Sequence, residues 1–193
     1  MSSPDGAVQP LRLRGINFSG TLRALTQRLG TAAAARTLAR VRGEAGVALR
    51  EGRIAPEGWY PVAWYDALLA AIEAELPREE TACRDLSRAA VTEELSTIFR
   101  VISLVATPDF ALVNAMRVAS TYIDGGKIAV IAAPPGTLHF RFEAFHGYTP
   151  RMWQDFAGGM EAVLDLMRLD RLSTEIVASD DTSCCDIVLR YQL

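Results

Sequence analysis

The chain has 193 residues, half of them hydrophobic and 22% charged, with a net charge of −3. That length fits one domain around one core, and the composition excludes a disordered chain, which lacks the apolar surface needed to offset its entropy. No stretch reaches the roughly 18 continuous apolar residues of a membrane span, and the first residues lack the basic-then-apolar order of a secretory leader, so the cytoplasm is the expected location.

Residues 1–10 read as a disordered tail and residues 11–193 as a single α+β domain. Leu11, Leu13 and Phe18 suggest a short opening strand that turns at Gly15. Ser19 or Thr21 is then placed to cap a helix whose Leu22, Leu25 and Leu29 share one face, with Gly30 as its left-handed stop. Thr31 can cap a second, alanine-rich helix running through Leu38 and Val41, ended by Gly43 and Gly46. Residues 43–58 read as loop, punctuated by Gly52, Pro56 and Gly58. Pro61 suits the first turn of the next helix, where its missing amide matters least, and Trp64, Leu68 and Ile72 predict its core face up to Pro77. Two further helices are expected, over residues 79–106 and from Thr107-Pro108 onward.

The period then changes. Tyr122-Ile123, residues 128–132 and the alternating Leu138, Phe140 and Phe142 predict an antiparallel meander, with turns at Asp124-Gly125-Gly126 and Pro134-Pro135-Gly136. Thr149-Pro150 opens a last amphipathic helix bearing Trp153, Phe156, Met160 and Val163, and two strands follow near residues 173–178 and 185–191. The order is a helical N-terminal half packed on an antiparallel sheet, with a strand, strand, strand, helix, strand, strand C-terminal half.

The Gly15-Ile16-Asn17-Phe18 opening and the Tyr60-Pro61-Val62-Ala63-Trp64 step resemble a myxobacterial family of unknown function. More distantly, residues 156–160 and the strands from Thr174 to Tyr191 are similar to the group of haem-nitric-oxide-binding sensors, vinyl-reductase-type ligand-binding domains and vesicle-tethering subunits. That resemblance implies a sensor or interaction domain in which helices beside the sheet can enclose a ligand. Haem sensors of the group hold iron with a helix histidine and the propionates with a tyrosine, serine, arginine signature. Here residues 118–122 read Val-Ala-Ser-Thr-Tyr, and residues 79–120 contain no histidine, which argues against haem held in that manner.

Candidate chemistry is sparse. Three cysteines, two of them adjacent, are a poor disulfide framework, so reduced thiols are expected. His146, Cys184 and Cys185, with Cys83 or His139 as a fourth ligand, form a weak zinc alternative, because adjacent strand residues point to opposite faces and no C-x-x-C pair exists. His139 and His146 are the histidine bases available to a nucleophile, and no G-x-S-x-G elbow occurs. Asp124-Gly125-Gly126-Lys127 lacks the helix of a phosphate loop and reads as a hairpin turn. Residues 1–53 carry nine arginines against Asp5, Glu44 and Glu51, a balance of +6 that leaves −9 to the rest. Without interleaved aromatics this basic part reads as a solvated face, and nucleic acid is not an expected partner. The aromatics Trp64, Phe99, Phe140, Phe142, Trp153 and Phe156 either fill a core or line an apolar pocket. The expectation is a non-catalytic regulatory or scaffolding domain binding a protein partner, including itself as a homodimer. A sensor for a small apolar ligand and a small enzyme with an unrecognised site are the alternatives. No cofactor is expected.

Overall fold

The computed structural model describes residues 11–76, 81–102, 107–131, 133–167, 170–178 and 183–192, with backbone alone at 96–102, 108–109, 111–112, 115, 170–171 and 178. The expected tail, residues 1–10, lies outside the described residues, as do the expected helix positions 79, 80 and 103–106 and Pro77. In chain order the elements are β1 (Arg12–Arg14), α1 (Gly15–Leu29), α2 (Thr31–Arg40), α3 (Gly43–Arg50), β2 (Trp59–Pro61), α4 (Val62–Glu75), α5 (Ala82–Ile102) and α6 (Pro108–Ala119). There follow β3 (Ile123–Asp124), β4 (Lys127–Ile131), β5 (Thr137–Glu143), α7 (Pro150–Leu166), β6 (Asp170–Ala178) and β7 (Cys185–Gln192). The fold is α+β with a helical N-terminal half, and the strand, strand, strand, helix, strand, strand order of the second half is present.

The strands form two antiparallel sheets where the sequence suggested one. β1 pairs with both β2 and β3, and the larger sheet runs β4-β5-β7-β6. Ile123 therefore leaves the meander to face Leu13 across the small sheet. The Asp124–Lys127 turn links two sheets instead of closing a hairpin, and its two glycines take φ of 113° and 70°. In the larger sheet Ile128, Phe142 and Cys185 are aligned on one face, as are Val130, Phe140, Ile187 and Ile176. That face packs against α7 and the other helices.

Several N-terminal expectations change. Phe18 is a fully buried residue of α1, which starts at Gly15 with no side-chain cap from Ser19 or Thr21. Its first amides are satisfied by the loop before β2, Gly15 N–H donating to Gly58 at 2.9 Å and Ile16 N–H to Pro56 at 3.0 Å. A Cβ at position 15 would lie 2.0 Å from the Ala55 carbonyl oxygen, so the approach requires glycine there. Residues 43–50, expected as loop, form α3, because Gly46 lies over the Val41 carbonyl where a Cβ would come within 1.9 Å. Gly30 does stop α1, with φ 81° and its amide donating to Thr26. Thr107 caps α6 by accepting from the Phe110 amide.

Part of the basic N-terminal charge is matched within the chain. Arg36 and Arg40 both bind Glu75, Arg12 binds Asp124, and the Arg14 guanidinium lies 5.1 Å from the Trp59 ring centre. No helix among the described residues is long and apolar enough to cross a membrane.

Candidate functional site

α7 fits against α5 as closely as it does because residue 158 is glycine. A Cβ on Gly158 would fall 2.1 Å from the Arg84 carbonyl oxygen, so the two helices meet backbone to backbone. Glycine in a helix interior costs roughly 0.5–1 kcal/mol relative to alanine, and the close approach is what that cost supports. It brings two acids of α7, one on either side of the contact, into the protein interior.

Glu161 is 5% exposed. It accepts from Arg84 Nε at 3.0 Å, from a second Arg84 nitrogen and from the Thr174 hydroxyl of β6, with Arg88 3.6 Å away. Burial opposes its ionisation, but the Arg84 and Thr174 hydrogen bonds and the two guanidinium charges outweigh it and hold the carboxyl below the ordinary range. Arg88 continues the network to Asp165 through two further contacts, one of 2.6 Å.

Asp155, six residues earlier, has a different environment. Its donors are hydroxyls: Tyr65 of α4 at 3.0 Å, and Ser87 of α5. The Tyr65 oxygen in turn lies 2.7 Å from Thr21 Oγ1 of α1. Since the single phenolic proton goes to Asp155, Thr21 is the donor in that second bond. Asp155 keeps partial exposure as a residue, yet its carboxyl end is enclosed. Burial raises its pKa to about 7 against the lowering effect of the two hydroxyl bonds. The nearest cation along the helix, Arg151, is committed to Asp66 at 2.9 Å and Glu73 at 2.7 Å. Burial likewise pushes the neighbouring Cys83 thiol up to about 12 and raises the Tyr65 and Tyr148 hydroxyls, with the Asp155 charge adding to each.

The aromatics singled out in the sequence divide. Phe140, Phe142 and Trp153 are fully buried, and Phe142 meets Trp153 at 5.4 Å and the half-buried Phe156 at 4.9 Å. Phe145 and Tyr148 extend this cluster, Tyr148 lying 4.6 Å from Trp153. Trp64 is elsewhere, half-buried and stacked on Tyr60 at 5.8 Å. Tyr65, not Trp64, points from α4 into the core; Tyr65, Leu68, Leu69 and Ile72 make the i, i+3, i+4, i+7 face, a pattern visible in the sequence. Phe99 belongs to α5, and its side chain lies outside the described residues. The inner face loses its cover toward β4: Ile128 is half-buried and Val130 is 51% exposed, although Val130 is aligned with the fully buried Phe140.

The zinc alternative gains no geometry. Among the described residues no group of three His, Cys, Asp or Glu side chains could hold a metal. Cys185 is buried on β7 with its thiol pushed up to about 12, Cys184 lies in the preceding turn, and His146 lies in the turn after β5. His139 sits on the outer sheet face 3.3 Å from Asp186, which also takes two hydrogen bonds from Arg141 at 2.9 and 3.0 Å.

No protein-family model matches the chain, and no curated protein matches it. Solved structures do. The Fe(II) unliganded H-NOX protein from K. algicida aligns over 94% of this chain and 97% of its own, with a TM-score of 0.67 and 14% identity. An H-NOX protein from S. oneidensis in the Fe(II)NO ligation state aligns over 94% and 100%, with a TM-score of 0.68 and 10% identity. A mutant H-NOX from T. tengcongensis gives 94% and 98%, with a TM-score of 0.65 and 12% identity. The chain thus has an H-NOX-like fold.

Proposed function

We propose that this chain is a non-catalytic sensing domain that takes a small apolar ligand at the β4 side of its larger sheet. The observation that carries the reading is the likeness of fold, which spans 94% of this chain and nearly all of proteins described with iron and, in one case, nitric oxide bound. Ile128, Val130 and Phe156 supply apolar surface beside the Phe140, Phe142 and Trp153 cluster, where a ligand could extend the core instead of meeting water.

The haem implied by such neighbours does not fit the residues present. His139 sits on the outer sheet face and His146 lies in a turn, so neither is placed on a helix beside the inner face. Cys83 and Cys185 are buried, with their thiols directed at the Leu69 and Asp186 backbone carbonyls. We therefore read the fold as one used for a ligand other than histidine-bound haem. The protein partner or second copy expected from the sequence takes the place of the output in this reading.

Melting the protein with saturating naphthalene or indole tests the proposal. A rise of several degrees that Val130→Arg removes is expected, because a ligand that binds only the native state stabilises it by mass action. Indifference to both probes would contradict the apolar site, and a stoichiometric Soret band on titration with hemin would contradict the reading on haem.

A further inference from the structure

We propose that the Asp155, Tyr65, Ser87 and Thr21 cluster is a proton-operated latch, holding α7 to α1, α4 and α5 when Asp155 is protonated and loosening when it ionises. This goes beyond the ligand-sensing reading and does not depend on it. The geometry is that of a junction: Tyr65 reaches Asp155 from α4 at 3.0 Å, Thr21 reaches Tyr65 from α1 at 2.7 Å, and Ser87 reaches Asp155 from α5. One carboxyl therefore touches or is relayed to all four helices.

The groups facing it carry no compensating charge. Tyr65 from α4, Cys83 from α5 and Tyr148 from the segment before α7 are neutral acids whose ionisation burial suppresses. On α7 itself Arg151 is bound by Asp66 and Glu73, while Arg84 and Arg88 of α5 are engaged by Glu161 and Asp165. An ionised Asp155 is thus an enclosed charge stabilised by hydroxyls alone, and a buried carboxylate without a cation favours either protonation or exposure to water.

The sign follows from linkage. Asp155 has a folded pKa of about 7, above the value of about 3.9 for an unfolded aspartate, so between these the native state holds the extra proton. Its contribution is fully present below about pH 4 and is lost as pH rises through about 7.

The test is thermal melting of the full chain at pH 5.5 and 8.5. The wild type should melt about 4–8 °C lower at the higher pH than a pH-independent protein would, and Asp155→Asn should remove that difference. Tyr65→Phe takes away a bond that favours the ionised form, and should move the midpoint of the loss to higher pH. Equal pH slopes in the wild type and Asp155→Asn would overturn the latch. If Asp155→Asn fails to fold, a midpoint unmoved in Tyr65→Phe would overturn it just as well.

Discussion

The two ends of the contact between α5 and α7 bury an acid each and treat it in opposite ways. At the Glu161 end Arg84 pairs with the carboxylate and Arg88, shared with Asp165, lies beside it, so ionisation is favoured. At the Asp155 end hydroxyls supply hydrogen bonds without charge, and ionisation is resisted. Burial acts against the charged form at both; at Glu161 the facing guanidinium groups outweigh it, and at Asp155 the two hydroxyl bonds do not. One end then serves as a fixed structural pair, and the other is free to respond to its surroundings.

The largest expected effect breaks both ends together. Gly158→Ala drives a methyl group into the Arg84 carbonyl, and we expect a loss of about 3 kcal/mol or more in denaturant unfolding. Gly159→Ala, whose Cβ would meet Val91 and Ser87 at an ordinary 3.5 and 3.6 Å, should be neutral or stabilise by up to about 1 kcal/mol. Equal losses would show that the backbone contact does not set the spacing. Next in size, Glu161→Gln leaves Arg84 partly buried without its counter-charge and should cost about 2–4 kcal/mol near neutral pH. The pH dependence separates the ends further. The stability due to Glu161 is present at neutral pH and falls away as acid protonates it below its ordinary range, whereas that of Asp155 falls away as pH rises toward about 7.

Most of the second half of the molecule was legible because its signals are local. The Pro134-Pro135-Gly136 turn, the alternation from Leu138 to Phe142 and the Thr149-Pro150 start of α7 each announce an element without help from elsewhere. The small sheet was not legible, since β1, β2 and β3 have two or three residues each and gain their pairing only from partners far away in the chain, such as Arg14 with Trp59 and Arg12 with Asp124. α3 was hidden by its own glycines, which suggested a loop; Gly43 takes φ 67° at its start and Gly46 packs closely on the Val41 carbonyl.

The candidate site was legible in part. Phe142 meets both Trp153 and Phe156 in the core, whereas Trp64 belongs to a different packing with Tyr60. Asp155 gave no sign, because its enclosure depends on α4 and α5 reaching it from residues 65 and 87. The available clue was indirect: the adjacent glycines three and four residues later inside the helix suggest a close helix contact, and an acid beside such a contact is an acid at risk of burial.

The most direct measurement is a carboxyl carbon NMR titration of the wild-type protein that follows Asp155 and Glu161 together. Asp155 should titrate near pH 7, while Glu161 should stay ionised to below the ordinary glutamate range. If both groups titrated at the same ordinary pH, the contrast between the two ends, and the latch built on it, would be wrong.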